Sequence, residues 1–131
     1  MNRFLSPEGL ARPNGFSHTA RTTGRTTVFV SGQVSYDASG RVVGEGDLAA
    51  QTRQVYRNLQ AALQAEGASM HDVVKTVLFV RDLDPDKARA IREARSPFLN
   101  PEGLPASTMV GVASLARPEL LLEVEAIAVL D

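Results

Sequence analysis

The sequence predicts an α+β fold, one sheet with two helices laid on one face, and three features carry that prediction. Apolar patterns follow the order strand, strand, helix, strand, helix, strand, strand, which a two-layer structure satisfies. Val73 to Val80 (VVKTVLFV) is apolar apart from Lys75 and Thr76, as expected of a central strand covered on both faces along most of its length. The last quarter, Pro105 to Val129, reads as two strands joined by a turn near Ala116-Arg117-Pro118. Strand side chains alternate between faces. Leu120, Leu122, Val124, Ala126 and Ala128 therefore share a wholly apolar face, while Leu121, Glu123, Glu125, Ile127 and Val129 share the other.

Taken in order, residues 1 to 15 hold two prolines and two glycines without periodicity and read as an irregular arm. Phe16 to Thr23 is weakly extended. Thr26 to Ser31 (TTVFVS) is rich in β-branched and aromatic residues and forms a strand that Gly32 ends. Asp37-Ala38-Ser39-Gly40 is a turn signal. Asp47 is the N-cap of a helix from Leu48 to about Glu66, with Leu48, Val55, Leu59, Ala62 and Leu63 at helical spacing and Gly67 as its stop. Met70-His71-Asp72 makes a turn before the central strand. Asp84-Pro85 opens a second helix ending near Arg95, because Pro97 cannot continue it cleanly. Ala106 to Ala113 and the final strand complete the chain. Helices on one side leave an apolar sheet face bare, and such patches mark oligomer interfaces.

The 131 residues fit one domain, 1–131, and suffice for a sizeable core. A net charge of −1 gives no bulk attraction to nucleic acid or an anionic membrane. The absence of cysteine removes disulfides, thiolate catalysis and cysteine-ligated zinc. With no signal-like or membrane-spanning run, a cytoplasmic location is the expectation.

Glu123 is the first candidate for chemistry. A carboxylate among apolar strand residues can have a raised pKa and exchange a proton near neutrality; the alternative is an ordinary rim glutamate. Ser107 and Thr108 could hold a ligand or water, or simply be sheet hydroxyls. His18 and His71 are far apart and make no metal signature, so no metal and no cofactor is expected. Gly32 permits close backbone approach to a ligand, or ends a strand. Nucleotide-loop and G-x-S-x-G motifs are absent. Five Phe, two Tyr and no Trp leave little for stacking single-stranded RNA.

Seven pieces in order resemble the YjgF/RidA (Rid) family: Gly15-Phe16-Ser17-His18-Thr19-Ala20, Val28 to Gln33, Asp47 to Gly67 with Gln51-Thr52-Arg53 and Asn58-Leu59, Asp72 to Val77, Phe79 to Leu83, Pro105-Ala106, and Glu123 to Val129. The resemblance runs from about Gly15 to the C-terminus. It implies a chorismate-mutase-like fold and a homotrimer whose sheets form a central barrel, with three clefts between subunits. It also implies hydrolysis of reactive enamines and imines to 2-keto acids and ammonia. In such members an arginine after the Pro-Ala pairs with the substrate carboxylate, a job its fork geometry suits. A carboxylate at the position of Glu123 handles water or the proton. A glycine at Gly32 and an aromatic at Phe16 line the cleft.

The sequence departs from that pattern at the anchor. Ser107 stands at the arginine position, Met109 where a cysteine is common, Phe16 where tyrosine is usual, and Ala90 where the second helix would contribute asparagine. Serine cannot replace the charge, and the affinity for an imino acid falls by roughly several kcal/mol unless Arg21, Arg25 or Arg117 compensates. Two readings follow: a small-molecule hydrolase or deaminase acting on a C=N substrate without the usual carboxylate, or a non-catalytic trimer binding a metabolite or partner. The endoribonuclease label attached to the family is disfavoured by the charge and the scarcity of aromatics.

Overall fold

The computed structural model describes residues 1–131. Its strands are β1 (Asn2–Leu5), β2 (Thr19–Thr22), β3 (Thr26–Gln33), β4 (Val73–Arg81), β5 (Ala106–Val112) and β6 (Leu122–Leu130), and its helices are α1 (Leu48–Ala65) and α2 (Pro85–Arg95). Four strands form the main sheet in the order β3-β6-β4-β5, and β1 pairs with β2 as a separate antiparallel ribbon. No helix is long and apolar enough to cross a membrane.

Local chemistry sets both helices. Asp47 caps α1 by accepting the Ala50 N–H at 3.0 Å. Gly67, at φ +74°, turns the chain out of α1, with Gly67 N bonding Gln64 O and Ala68 N bonding Leu63 O. That pair of bonds is a Schellman stop. Asp84 caps α2 through the Lys87 N–H at 2.8 Å, and Pro85 occupies a first-turn position that needs no donor.

The core lies between helices and sheet. Val55, Leu59 and Leu63 of α1 and Ile91 of α2 are fully buried against Leu78, Val80, Leu122, Val124 and Ala128. The apolar face read for the last strand, Leu120 to Ala128, is buried throughout. Both helices lie on that side. In β4 only Val73, Val74, Thr76, Leu78 and Val80 are therefore buried, while Lys75, Val77, Phe79 and Arg81 are half-exposed. The expectation that β4 is covered on both faces fails for the single chain. The bare face also carries Phe29, 75% exposed, and Val110.

Two further expectations are corrected and a third is completed. Asn2–Leu5 is a strand, not part of an irregular arm, because it finds antiparallel partners in Thr19–Thr22. The last two strands are joined by a turn as read but are not adjacent in the sheet: β4 inserts between β5 and β6, parallel to the first and antiparallel to the second. Gly32 does not end its strand, since β3 continues to Gln33 past an irregularity at which Ser31 and Gly32 face one residue of β6.

The buried polar residues of α1 tie loops to the scaffold. Gln51 is fully buried; its Nε2 donates to Gly44 O at 3.2 Å and Glu119 O at 2.9 Å, and its Oε1 accepts from Leu121 N at 2.9 Å. Asn58 Nδ2 donates to Val34 O and Tyr36 O, both at 3.0 Å. One helix thus fixes the chain two residues before Glu123 and two residues after Gly32. A Gln51→Leu variant keeps the bulk but orphans a buried N–H and two carbonyls. Urea unfolding is expected to show a loss of about 2–4 kcal/mol.

Candidate functional site

Glu123 and Gly32 come together, and the sheet explains why. Glu123 sits on the bare face of β6 opposite Phe79 of β4. The β3 irregularity brings Gly32 beneath its carboxylate. A Cβ on Gly32 would stand 2.0 Å from Glu123 Oε2 and 2.7 Å from Cδ. The missing side chain is therefore a steric requirement of the carboxylate's position. Glu123 is half-buried, and no cation lies within 4.0 Å of either Glu123 or Glu125. With no ion partner, the carboxylate oxygens keep lone pairs open to a hydrogen-bond donor.

Ser107, Met109 and Phe16 lie elsewhere. Ser107 pairs with Thr76 and Met109 with Leu78, which puts both on the helix-covered face of β5. Ser107 Oγ accepts from the buried Thr76 hydroxyl at 2.8 Å. Met109 packs on the edge of the core. Phe16 adjoins the outer edge of β5, where Ser17 N donates to Pro105 O at 3.1 Å and Ser17 bridges Ala106 in parallel. Its ring meets His18 edge-on at 5.3 Å, and His18 Nε2 contacts Ala11 O at 2.7 Å. His71 sits in the turn before β4, as read.

Of the five residues read from the sequence, the structure brings Gly32 and Glu123 together, while Ser107 and Met109 share the other face of the sheet and Phe16 lies by the outer edge of β5. Two strand spacings and three residues of rise separate Ser107 from Glu123 by roughly 14 Å, on opposite faces of the sheet. Of the compensating arginines considered, Arg117 stacks over the Tyr36 ring at 5.9 Å and reaches Glu119 at 3.4 Å, so it is engaged away from Ser107.

Two residues that sequence reasoning missed stand out. Thr76 occupies the hydrogen-bonding position beside Ser107. Arg95 is a charged residue only 4% exposed, its Nη2 donating to Gly15 O at 3.0 Å. Its spacing from Ile91 was the available signal, since four residues along a helix is the same face. Arg95 lies against the Tyr56 phenol. Burial holds that phenol above its ordinary value of 10.0, and the Arg95 guanidinium offsets part of the rise.

The family profile described as Endoribonuclease L-PSP matches residues 9–130. A RutC family protein of Pyrococcus horikoshii is 33% identical over 128 residues, 98% of each chain. A 2-iminobutanoate/2-iminopropanoate deaminase of Salmonella typhimurium is 40% identical over 103 residues, 78% of each chain. Among solved structures, a protein of unknown function of the conserved Rid family from Yersinia pestis superposes with a TM-score of 0.93 at 38% identity, covering 98% of both chains.

Proposed function

The chain belongs to the Endoribonuclease L-PSP (YjgF/RidA) family, and on that footing we propose that it is a homotrimeric hydrolase of a small imine or enamine lacking the usual carboxylate. The observation that carries the reading is the Glu123 carboxylate held over Gly32 with no cation beside it. In the reaction, water adds to the C=N carbon as Glu123 takes its proton. That proton passes to nitrogen and gives a carbinolamine; its hydroxyl proton then moves by way of Glu123 to the amine as the C–N bond breaks and C=O forms, and the products are a carbonyl compound and ammonia. Proton transfer by a positioned side chain contributes typically about 10²–10⁴-fold.

The trimer rests on two features. Phe29, Val77, Phe79 and Ile127 leave an apolar stripe on the bare sheet face, of the kind that marks a subunit interface. Glu123 and Ser107 also lie on opposite faces of one chain's sheet, so a cleft using both takes Glu123 from one copy and Ser107 from a neighbour. Ser107, oriented by the buried Thr76 hydroxyl, then presents a hydroxyl where the resemblance implies a guanidinium, which suits an uncharged end of the substrate.

Ammonia release from 2-iminopropanoate and from an uncharged imine, each measured with the native chain and Ser107→Arg, tests this reading. The native chain is expected to favour the uncharged imine. The arginine variant is expected to gain on 2-iminopropanoate by about ten- to a hundredfold, the value of one charge-assisted anchor. Native turnover of 2-iminopropanoate at the level of the variant would refute the role given to Ser107. No turnover of any imine by either protein would leave the trimeric binding protein as the reading.

A further inference from the structure

A cavity of about 660 Å³ lies between the end of α2, the Asn14–Gly15 backbone and residues 99–104. Three arginines line it, Arg89, Arg92 and Arg95, together with apolar Leu99, Pro101 and Leu104. Its volume falls within the range of small-molecule sites, about 300–1,000 Å³. None of Phe16, Gly32, Ser107, Met109 or Glu123 lines it.

Two of its three cations make no ion pair. No carboxylate lies within 4.0 Å of the Arg92 or Arg95 guanidinium, whereas Arg89 pairs with Asp86 at 3.3 Å at the surface. Arg95 is the telling residue. A guanidinium carries five N–H donors, and this one, 96% enclosed, has a hydrogen bond to Gly15 O. Tyr56 beside it is held neutral by burial and supplies no negative charge. Enclosing a cation without an anion is costly. The α2 dipole favours arginine in the last turn, which explains Arg92 and Arg95 being there but not the burial of Arg95. Gly15 is fitted to the cluster: at φ +80°, a Cβ on it would come within 3.1 Å of Arg95 Nη2 and 3.2 Å of Arg92 Cδ. Glu93 also lines the cavity, the one acidic group there.

We propose that this cavity binds the oxyanion of a small metabolite, a carboxylate or phosphate monoester on a short apolar body, with Arg92 and Arg95 as the anion clamp. The oxyanion supplies the counter-charge that the protein omits, and two guanidinium forks suit its paired oxygens. Leu99, Pro101 and Leu104 take the apolar body. The site is independent of Glu123 and stands whether or not the chain hydrolyses imines.

The test is a titration of the full chain, followed by its amide NMR spectrum, with inorganic phosphate, butyl phosphate and hexanoate in turn, at constant ionic strength set with chloride. Saturable shifts at the Gly15 amide are expected at millimolar concentration or below, with the alkyl ligands tighter than phosphate. Saturation by hexanoate but not butyl phosphate identifies a carboxylate ligand, and the reverse a phosphate. Arg92→Ala, at a half-exposed position, is expected to weaken binding by about ten- to a hundredfold. Glu93→Gln should tighten it, and Glu123→Gln should leave it unchanged. Shifts that do not saturate, that chloride reproduces, or that persist in Arg92→Ala would overturn the site.

Discussion

Glu123→Gln is expected to cut imine hydrolysis by about 10²–10⁴-fold while leaving the fold intact. The amide preserves the shape of the side chain over Gly32 but cannot take a proton from water. Because Glu123 is half-buried and makes no ion pair, its charge contributes little to stability, and the melting temperature should move little. The loss should appear in kcat rather than KM, as for an interaction made chiefly in the transition state. Gly32→Ala is the companion experiment. Its methyl collides with the Glu123 carboxylate and either displaces it or strains the β3–β6 pairing. Activity should fall as in Glu123→Gln, accompanied by some loss of stability. Unchanged kcat in Glu123→Gln would remove this carboxylate from the chemistry.

What was legible in the sequence was local. Asp47, Gly67, Asp84 and Pro85 announce the helix ends because a cap or stop depends on residues a few positions away, and both helices run as their signals predict. Strand pairing depends on residues far apart. The turn around Arg117 joins the last two strands, yet nothing near it tells that β4, more than 20 residues earlier, enters between β5 and β6. The first strand was missed for the same reason: four residues acquire strand character from Thr19–Thr22, on the far side of a segment that does look irregular.

The candidate site divides along the same line. Alternation within β6 puts Glu123 opposite the core face, and the structure agrees. That Gly32 lies under Glu123, and that Ser107 faces the other way, depends on registers between strands that no single stretch encodes. The buried polar residues show the converse. Gln51 and Asn58 belong to the recognised pattern, and in this chain they hold the backbone flanking Glu123 and Gly32.

Phe29→Glu is expected to convert a trimer into single chains and to abolish turnover with it. Phe29 is 75% exposed in the isolated chain, on the face shared by Val77, Phe79 and Ile127, and burying such a side chain is worth about 1.5–3 kcal/mol in each copy. A three-fold assembly would repeat that gain three times, and the variant would instead bury three added carboxylates in a region where each chain already places Glu125 and one cation, Lys75, so that acids outnumber cations two to one. The substitution is exposed in the monomer and removes nothing from the core between helices and sheet, so each chain should remain folded. Light scattering at micromolar concentration should give three times the chain mass for the native protein and one times for the variant. Glu123 is untouched, so a folded, monomeric and inactive Phe29→Glu would tie catalysis to assembly, as the proposed shared cleft requires. A monomeric native protein would refute the trimer, and a monomeric variant with full activity would refute the shared cleft.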